Sequence, residues 1–323
     1  MKIIMMGTGP FAVPTFEALL SDGHEIPLLV TRPPVQSKGK QPPPNPMREV
    51  AQSRAIPVFD PPSVNSPEVV AELQAVGADL LVVCDYGQIL APAALETARW
   101  GGINLHGSLL PKYRGAAPVQ WCVYQGDLES GVSVIHMTPR LDGGPILVQR
   151  RLLVAPDETA GELEQRLSRL GVDAVREALT MLAHWDGKST LGMVQDPTQV
   201  SKAPRLAKSQ GQIDWQQAAQ QIRNQIRAFQ PWPGSFILWQ RGAEQPLRLI
   251  VLAAQVVSAD EIALDGNIAA AAPGTVVRAD KSCLWVQTGD GVLALNRVQP
   301  AGKRDMDIAE FLRGYSPRPG QRF

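Results

Sequence analysis

The stretch "MKIIMMGTGPFAVPTFEALL" (residues 1–20) opens on an apolar run, passes through two glycines and continues as a largely apolar segment. The run Lys2–Met6 predicts a short buried strand. Pro10 favours the first position of a helix that continues to about Leu20, because proline lacks the N–H that a helix start leaves unpaired. A strand, a tight glycine turn and a helix in this order predict the beginning of an α/β domain.

The same alternation continues through the first half of the chain. Further apolar runs predict buried strands at Glu25–Thr31, Ala78–Gly87 and Gly101–Gly107, and "GVSVIHM" and "PILVQRRLLV" add two more. Helical patterns lie at Arg48–Arg54, Pro67–Val76, Pro92–Arg99 and Glu158–Trp185. Continuous apolar strands that alternate with helices predict a Rossmann-like, mostly parallel sheet with helices on both faces.

The last third of the chain has a different pattern. "DWQQAAQQIRNQIRAF" (residues 214–229) predicts a helix capped by Asp214, and short apolar runs separated by Gly, Asp and Pro follow it. Short strands of this spacing predict a small β-barrel of the OB type. We therefore expect an α/β domain at residues 1–187, a linker at 188–208 and an OB-like domain at 209–323.

The composition excludes several classes of protein. Lys+Arg and Asp+Glu both number 31, so any attraction to nucleic acid or membrane must come from local patches. The three cysteines lack CxxC spacing, which argues against a disulfide framework and a zinc site and suits a reducing compartment. The first apolar run breaks at Gly7 and no stretch of 18 apolar residues exists, so we expect a cytoplasmic protein with no signal peptide, membrane span or metal.

The turn "GTGPFA" (residues 7–12) matches half of a dinucleotide-binding fingerprint. The other half is an acidic residue at the end of the next strand, which would hold a ribose hydroxyl. That strand ends in Thr31 and Arg32, and neither is acidic. We therefore expect the glycines to serve the turn and expect no NAD, although the motif alone leaves both interpretations open.

Asn104 and His106 are the first candidates for chemistry. They lie two residues apart at the end of a predicted parallel strand, so their side chains point the same way at the edge where open α/β sheets bind ligands. An amide donor and an imidazole N–H aimed at one point form a plausible oxyanion site. The alternative is a histidine whose hydrogen bonds are satisfied by the backbone, and the two residues alone do not decide between them.

Asp142 stands in "RLDGGPI", where two glycines let the backbone bend closely around the acid. Near an imidazole, this carboxylate would fix the tautomer and raise the pKa of the histidine. The alternative is an Asx-turn before a strand. The chain has no G-x-S-x-G motif, so direct attack by a substrate nucleophile fits better than a covalent enzyme intermediate.

The segment Thr31–Arg48 contains Arg32, Lys38, Lys40 and Arg48, six prolines and no acid. A long loop inside a compact domain is usually functional or disordered. Its positive charges suit phosphates. The alternative is a solvated connector.

Two of these motifs carry a resemblance. "INLHGSLLPKYRGAAP" (residues 103–118) together with "RLDGGPI" resembles the formyltransferases that use 10-formyltetrahydrofolate. "GQIDWQQAAQQIRNQIRAFQPWPGSF" and "VQPAGKRDMDIAEFLRG" are similar to the C-terminal segments of the methionyl-tRNA branch of that family. Departures are Lys38 in place of an arginine, "SKAPRL" for "TYAPKL", "DYGQIL" for "AYGLIL" and "LDGGPIL" for "LDTGDML".

The resemblance implies a role for each candidate. Asn104 and His106 would receive the charge that develops on the formyl oxygen, Asp142 would position His106 and assist proton transfer, and Arg114 would offer charge to an anionic ligand. The implied folate contacts are Cys84, Asp85, Tyr86, Gly87, Gln88, Ile89, Leu90, Ser108, Leu109, Leu110 and Pro111. The implied tRNA contacts are Arg32, Lys38, Lys40, Arg48, Lys202, Arg205, Lys208, Arg223, Arg227, Lys303 and Arg304.

On this resemblance the α/β domain would be catalytic and the OB-like domain would bind tRNA. The donor would be 10-formyltetrahydrofolate, the acceptor initiator methionyl-tRNA, and the protein a monomer. Other enzymes on the same core remain alternatives: a formyltetrahydrofolate hydrolase domain, a glycinamide ribonucleotide transformylase or a sugar-nucleotide formyltransferase. A non-catalytic RNA-binding module is the alternative from another class, and the complete Asn–His–Asp set argues against it.

Overall fold

The structure is a computed structural model, and it describes residues 1–34, 44–241, 245–265 and 271–323. The predicted tRNA contacts Lys38 and Lys40 lie outside the described residues. The chain divides into two compact units, each assembled from several segments. The first comprises Met1–Val119, Glu129–Leu153 and Glu162–Arg205, and the second comprises Gln120–Leu128, Val154–Gly161 and Leu206–Phe323.

A seven-stranded sheet forms the centre of the first unit. The strands of this unit are β1 (Lys2–Gly7), β2 (Glu25–Val30), β3 (Val58–Phe59), β4 (Leu80–Cys84), β5 (Gly102–His106), β6 (Arg114–Gly115), β7 (Glu129–His136), β8 (Ile146–Leu153) and β9 (Lys202–Ala203). Seven of them form the sheet in the order β3-β2-β1-β4-β5-β7-β8. Strands β1 to β5 pair in parallel, and β7 and β8 extend the sheet antiparallel. This confirms the predicted mostly parallel sheet.

Helices connect the strands of this sheet. They are α1 (Val13–Ser21), α2 (Pro46–Ser53), α3 (Pro67–Val76), α4 (Pro92–Leu95), α5 (Pro118–Gln125) and α6 (Ala160–Ala183). Most residues of α5 belong to the second unit. Several begin with proline, and Asn45 caps α2 by accepting a hydrogen bond from the backbone N–H of Arg48 at 3.0 Å.

The helix predicted at Pro92–Arg99 is shorter than expected, because α4 ends at Leu95. The backbone N–H groups of Arg99 and Trp100 donate instead to the carbonyl oxygens of Ala78 and Asp79, just before β4. Donors that pair with the entry to a neighbouring strand cannot also continue an α-helix.

The core of the sheet explains why the first stretch of sequence decides the fold. Ile3, Ile4, Met5 and Met6 of β1 are fully buried, so both faces of this strand are covered. Strand β1 lies between β2 and β4, and the order of the chain reverses at that point. Ligands of open α/β sheets bind beside such a switch point, at the carboxyl ends of the strands.

The second unit is a small antiparallel domain, as the short apolar runs predict. Its strands are β10 (Ser235–Trp239), β11 (Leu247–Val256), β12 (Val276–Ala279), β13 (Leu284–Gln287), β14 (Val292–Pro300) and β15 (Met306–Asp307). Five of them follow the order β10-β11-β14-β13-β12, and β15 pairs with β14. Its helices are α7 (Ala219–Ala228), α8 (Ala259–Asp265) and α9 (Ile308–Tyr315).

The predicted cap of α7 is wrong, because the helix begins at Ala219 rather than after Asp214. The Asp214 carboxylate accepts a hydrogen bond from the backbone N–H of Gln216 at 3.0 Å and so closes a turn. The carbonyl of Trp215 accepts from the N–H of Gly289 at 2.8 Å, which ties this turn to the loop between β13 and β14. Asp and Asn side chains favour such turns as much as helix starts, and here the tertiary contact decides.

Within the described ranges, no helix has both the length and the apolar character needed to cross a membrane. The same ranges contain no cluster of three or more His, Cys, Asp or Glu side chains arranged for a metal ion. Cys84, Cys122 and Cys283 form no disulfide within these ranges.

Candidate active site

The imidazole of His106 lies at the carboxyl end of β5, and its side chain is only 6% exposed. Its Nε2 is 2.9 Å from the backbone carbonyl oxygen of Tyr113. A carbonyl oxygen only accepts, so Nε2 donates and the neutral ring carries its lone pair on Nδ1. The carbonyl of Tyr113 therefore fixes the tautomer, a role that the sequence assigned to Asp142.

Asp142 lies in the connection between β7 and β8, with its backbone in the left-handed region at φ 47°. One carboxylate oxygen, Oδ2, accepts a hydrogen bond from the N–H of Gly115 at 2.8 Å. The other, Oδ1, is 3.4 Å from the Asn104 amide nitrogen and 3.8 Å from Nδ1 of His106. The structure thus brings together all three residues that the sequence predicted to be catalytic.

The second glycine of "RLDGGPI" is required by a close approach. A Cβ atom on Gly144 would lie 1.8 Å from the carbonyl oxygen of His136, at the end of β7. A side chain there would push the connection away from the sheet. The glycine therefore lets Asp142 lie beside the end of β5.

A buried glutamine also holds the Asp142 turn. The Nε2 of Gln195 donates to the carbonyl oxygens of Asp142 and Gly144, at 2.8 and 2.7 Å. Its Oε1 accepts from Nε and Nη2 of Arg114, at 3.1 and 2.6 Å. Arg114 is thus buried against an amide, although the sequence suggested it as a contact for an anionic ligand. No pattern around Gln195 distinguishes it from other polar residues of its segment.

The first predicted folate segment follows β4 and turns beside β1. The carbonyl of Asp85 accepts from the N–H of Thr8 at 3.1 Å, and the carbonyl of Tyr86 accepts from the Thr8 hydroxyl at 3.3 Å. A Cβ atom on Gly9 would lie 1.8 Å from Oδ2 of Asp85. Gly9 therefore makes room for a carboxylate, which gives the glycine of "GTGPFA" a structural reason.

Two carboxyl groups in this unit have raised pKa values. Desolvation raises the pKa of Asp85 to about 6. The residue is exposed by surface area, so this desolvation comes from the protein around the carboxyl rather than from complete coverage. Desolvation, together with the negative charge of Asp85, raises the pKa of Glu164 on α6 to about 7. Perturbed carboxyls beside a switch point are candidates for a functional role.

The rest of the segment Cys84–Leu90 is partly buried. Burial raises the pKa of the Cys84 thiol and raises the pKa of Tyr86 to about 12. The Tyr86 hydroxyl has no hydrogen-bond partner among the described residues. Gln88 holds the loop before α3 through the N–H of Val64 at 2.9 Å. Gly87 and Ile89 are exposed, and Leu90 is buried.

The second predicted folate segment, Ser108–Pro111, follows β5 directly. Ser108 is buried and its hydroxyl donates to the carbonyl of Lys112 at 2.7 Å. The N–H of Leu110 donates to the Ser133 hydroxyl at 3.0 Å, whereas Leu109 is partly exposed. The Leu110–Pro111 peptide bond is cis. These contacts fix the path of the loop immediately after His106.

The predicted tRNA contacts of the first unit differ in how far their charges are engaged. Arg48 forms an ion pair with Asp60 at 2.5 Å. Arg32 is partly exposed, and its side chain passes beside Gly87. Lys202 and Arg205 are exposed, and neither forms an ion pair with another residue that the structure covers.

In the second unit, Arg223 pairs with Asp157 at 2.5 Å and its side chain is only 16% exposed. Arg227 donates to the Asn224 side chain at 3.0 Å, and desolvation lowers its pKa. The remaining candidates lie on the surface: Lys208, Lys303 and Arg304. Arg304 is paired with Glu310. The charges of Arg223 and Arg227 are thus already neutralised or hydrogen-bonded within the unit.

Comparisons with known proteins agree with this architecture. The profile described as "Formyl transferase" matches residues 1–179, and "Formyl transferase, C-terminal domain" matches residues 205–316. A curated methionyl-tRNA formyltransferase of Rhodopirellula baltica is 49% identical over 99% of this chain and 96% of its own length. That of Geobacter sulfurreducens is 36% identical over 100% of this chain and 96% of its own length.

Two solved structures show the same fold at low sequence identity. An N-formyltransferase from Helicobacter canadensis superposes with a TM-score of 0.64 at 16% identity, over 91% of this chain and 98% of its own. HypX from Aquifex aeolicus has a TM-score of 0.61 at 14% identity, over 97% of this chain and 48% of its own. Together with the two profiles and the full-length relatives, they lead to one conclusion: the chain belongs to the methionyl-tRNA formyltransferase family of formyl-transferring enzymes.

Proposed function

We propose that this protein transfers the formyl group of 10-formyltetrahydrofolate to the α-amino group of methionine on initiator methionyl-tRNA. Membership of the family supports the reaction class and the acceptor. The observation that carries the proposal is the convergence of Asn104, His106 and Asp142 at the carboxyl end of β5, with contacts of 3.4 and 3.8 Å to one carboxylate oxygen. Such a cluster can receive charge and move a proton at one point.

The amine nitrogen of the acceptor attacks the formyl carbon, and a carbon–nitrogen bond forms. Negative charge moves to the formyl oxygen, where the Asn104 amide and His106 stabilise it. His106 can donate from Nδ1 only in its protonated form, because its Nε2–H is held by Tyr113. Asp142 lies where it can pair with the positive charge of protonated His106 and accept the proton of the amine through water. The bond to N10 of tetrahydrofolate then breaks, and N10 takes up a proton.

The segments Cys84–Leu90 and Ser108–Pro111 suit a pterin in their chemistry. Ile89 is 59% exposed and offers an apolar surface beside the backbone polar groups of the turn. Asp85 and Gly87 both have left-handed backbones in this turn, at φ 48° and 80°. Pterin rings combine flat apolar faces with a polar edge, so an apolar side chain next to bent backbone matches both. We assign the folate contacts of the donor to these two segments.

We assign the acceptor's phosphates to exposed cations rather than to paired ones. Lys202, Arg205, Lys208 and Lys303 are the described candidates that are fully exposed and whose charges no ion pair engages within the described ranges. Lys38 and Lys40 join them as candidates outside the described residues. Residues 1–187 would form the catalytic domain, 188–208 a linker and 209–323 the tRNA-binding domain. A cytoplasmic monomer completes the proposal, and sedimentation of the purified protein tests the monomer.

An acceptor assay tests the function directly. Purified protein with 10-formyltetrahydrofolate would be offered initiator methionyl-tRNA, elongator methionyl-tRNA or water alone. We expect formyl-methionyl-tRNA from the initiator, less from the elongator and little free formate from water. Formate release without transfer would support the hydrolase alternative, and no turnover of any acceptor would contradict an enzymatic role for the site.

A further inference from the structure

The second unit contains a cavity of about 480 Å³. Of the predicted site residues that the structure describes, Lys208 alone lines it. It lies beside the 3-10 turn Lys208–Gly211, the loop before β10 and the start of β11. Its lining consists of Lys208, Ser209, Trp232, Pro233, Phe236 and Arg248. Three of these are rings, two are cations, one carries a hydroxyl, and none is acidic.

The aromatic side chains present flat surfaces to this cavity. Trp232 is 47% exposed, and among the described residues its indole has neither a ring partner nor a hydrogen bond. The guanidinium carbon of Arg248 lies 3.9 Å from the centroid of the Phe236 ring, so the cation is stacked on one face. Trp232 therefore offers a large apolar face, and its indole N–H offers a donor, to whatever enters the cavity.

Backbone hydrogen bonds tie the segments that line the cavity to one another. The N–H of Ile213 donates to the carbonyl of Phe236 at 2.9 Å, and a Cβ atom on Gly211 would lie 2.2 Å from the carbonyl of Gly234. Both contacts hold the turn of Lys208 closely against β10. The N–H of Gly234 donates to the carbonyl of Phe229 at 2.8 Å and fixes the loop that carries Trp232. Segments that are already tied together in this way lose less conformational entropy on binding than untied ones would.

We propose that this cavity binds one unpaired nucleotide of the RNA acceptor, with its base stacked on Trp232 and its phosphate beside Lys208 and Arg248. Bases stack on aromatic side chains whatever their identity, and a cationic margin follows the backbone. The cavity has the size of small-ligand sites, and the two cations in its lining suit a phosphate. A paired nucleotide does not fit this assignment, because both faces of its base are covered by its neighbours. The inference rests on the proposed tRNA acceptor.

The test compares Trp232→Ala and Trp232→Phe with the wild-type protein in steady-state formylation of methionyl-tRNA. Trp232→Ala removes the ring on which the base stacks, and this loss raises the KM for methionyl-tRNA by about 5- to 150-fold. In Trp232→Phe the KM for methionyl-tRNA stays much closer to that of the wild type, because this variant retains an aromatic face. The KM for 10-formyltetrahydrofolate stays unchanged in both variants. Leu238→Ala is the matched control, since Leu238 lies on β10, is 45% exposed and does not line the cavity.

Direct binding identifies the occupant. Anisotropy would be measured with a labelled single-stranded RNA hexamer, a fully paired RNA hairpin and, as competitor, adenosine monophosphate. We expect Trp232→Ala to weaken binding of the hexamer and to leave binding of the hairpin unchanged. The proposal would be overturned if Trp232→Ala weakened the binding of both RNAs equally. It would also be overturned if a free mononucleotide bound the cavity while the KM for tRNA stayed unaltered in Trp232→Ala.

The two proposals fail separately. A wild-type protein that does not formylate methionyl-tRNA contradicts the proposed function, whatever the cavity binds. Normal formylation with an unchanged KM for tRNA in Trp232→Ala contradicts only the nucleotide site. Thermal unfolding of each variant shows whether a change in KM reflects a change in folding.

Discussion

The site in the first unit and the cavity in the second unit differ in how their side chains are held. His106 and Asp142 are 6% and 9% exposed, and backbone donors or acceptors contact both. Trp232, by contrast, is 47% exposed and makes no polar contact among the residues described. Chemistry at one atom requires fixed positions and excluded water. A surface that receives a flexible polymer gains its affinity from exposed rings and charges instead.

This contrast predicts the largest loss for the buried cluster. Asn104→Ala and His106→Ala should each reduce kcat by about 10²- to 10³-fold, because each removes a donor to the developing oxyanion. Single-turnover formylation with saturating folate measures this effect. His184→Ala, an exposed histidine on the C-terminal side of α6, is the control. Retained turnover in both cluster variants would make the cluster structural rather than catalytic.

Asp142→Asn should lower kcat by about 10²-fold, the lower range for loss of general acid–base assistance. The shape of the side chain is kept, so folate binding should persist. The pH–rate profile should shift, because the charge facing His106 has gone. Equilibrium binding of folate and kcat from pH 5 to 9 check both parts, and an unchanged profile would reduce Asp142 to a turn residue.

Gln195→Ala tests the support of the site rather than its chemistry. It leaves the Arg114 guanidinium and two carbonyl oxygens without their amide partner, which should cost about 1–3 kcal/mol of unfolding free energy. The turn of Asp142 should loosen, and kcat should fall with stability. Gln199→Ala is the matched control, since Gln199 is exposed in the same segment. Equal urea midpoints for the two variants would contradict this role.

The raised carboxyl pKa values predict a pH dependence of stability. The pKa values of Asp85 and Glu164 are about 6 and 7, above their ordinary values of 3.8 and 4.5. The folded state therefore binds more protons than the unfolded state between about pH 4 and 7. The contribution of these two carboxyls to the free energy of unfolding is fully present below their unfolded-state pKa values. It is lost as pH rises through their folded-state pKa values.

Glu164→Gln and Asp85→Asn should each flatten the fall in stability between pH 4.5 and 7.5. Thermal unfolding midpoints at closely spaced pH values measure the slope. The control is Glu68→Gln, an exposed carboxylate in the first turn of α3. A slope equal to that of the wild type in both variants would show that neither carboxyl is protonated on folding.

The smallest effects should come from cations outside the buried cluster. Lys38→Ala/Lys40→Ala should raise the KM for methionyl-tRNA and reduce its salt slope by roughly 0.7–0.9 for each phosphate that is no longer neutralised. The KM for folate should barely change. Arg304→Ala serves as the comparison, because its charge is already paired with Glu310. A raised KM for folate with an unchanged KM for methionyl-tRNA would assign Lys38 and Lys40 to the donor site instead.

Much of the fold could be predicted because its signals are local. The buried runs of β1, β4 and β5 and the helix Pro67–Val76 appear in the structure within a few residues of their predicted bounds. Asp214 failed as a helix cap because its carboxylate closes a turn with Gln216, and the next residue, Trp215, is tied to Gly289. Helix starts and turns use the same side chains, so the local sequence does not separate them.

The sequence by itself determined the chemistry that is available: an amide, an imidazole and a carboxylate beside strand ends, and the glycines that let them approach. Only the tertiary structure decided that Tyr113 holds His106, that Gln195 occupies Arg114, and that Trp232 and Arg248 share one cavity. The physical reason is that each of these contacts depends on how the chain folds back on itself. Gln195 lies 81 residues from Arg114, and no periodicity in a sequence encodes a hydrogen bond between side chains so far apart.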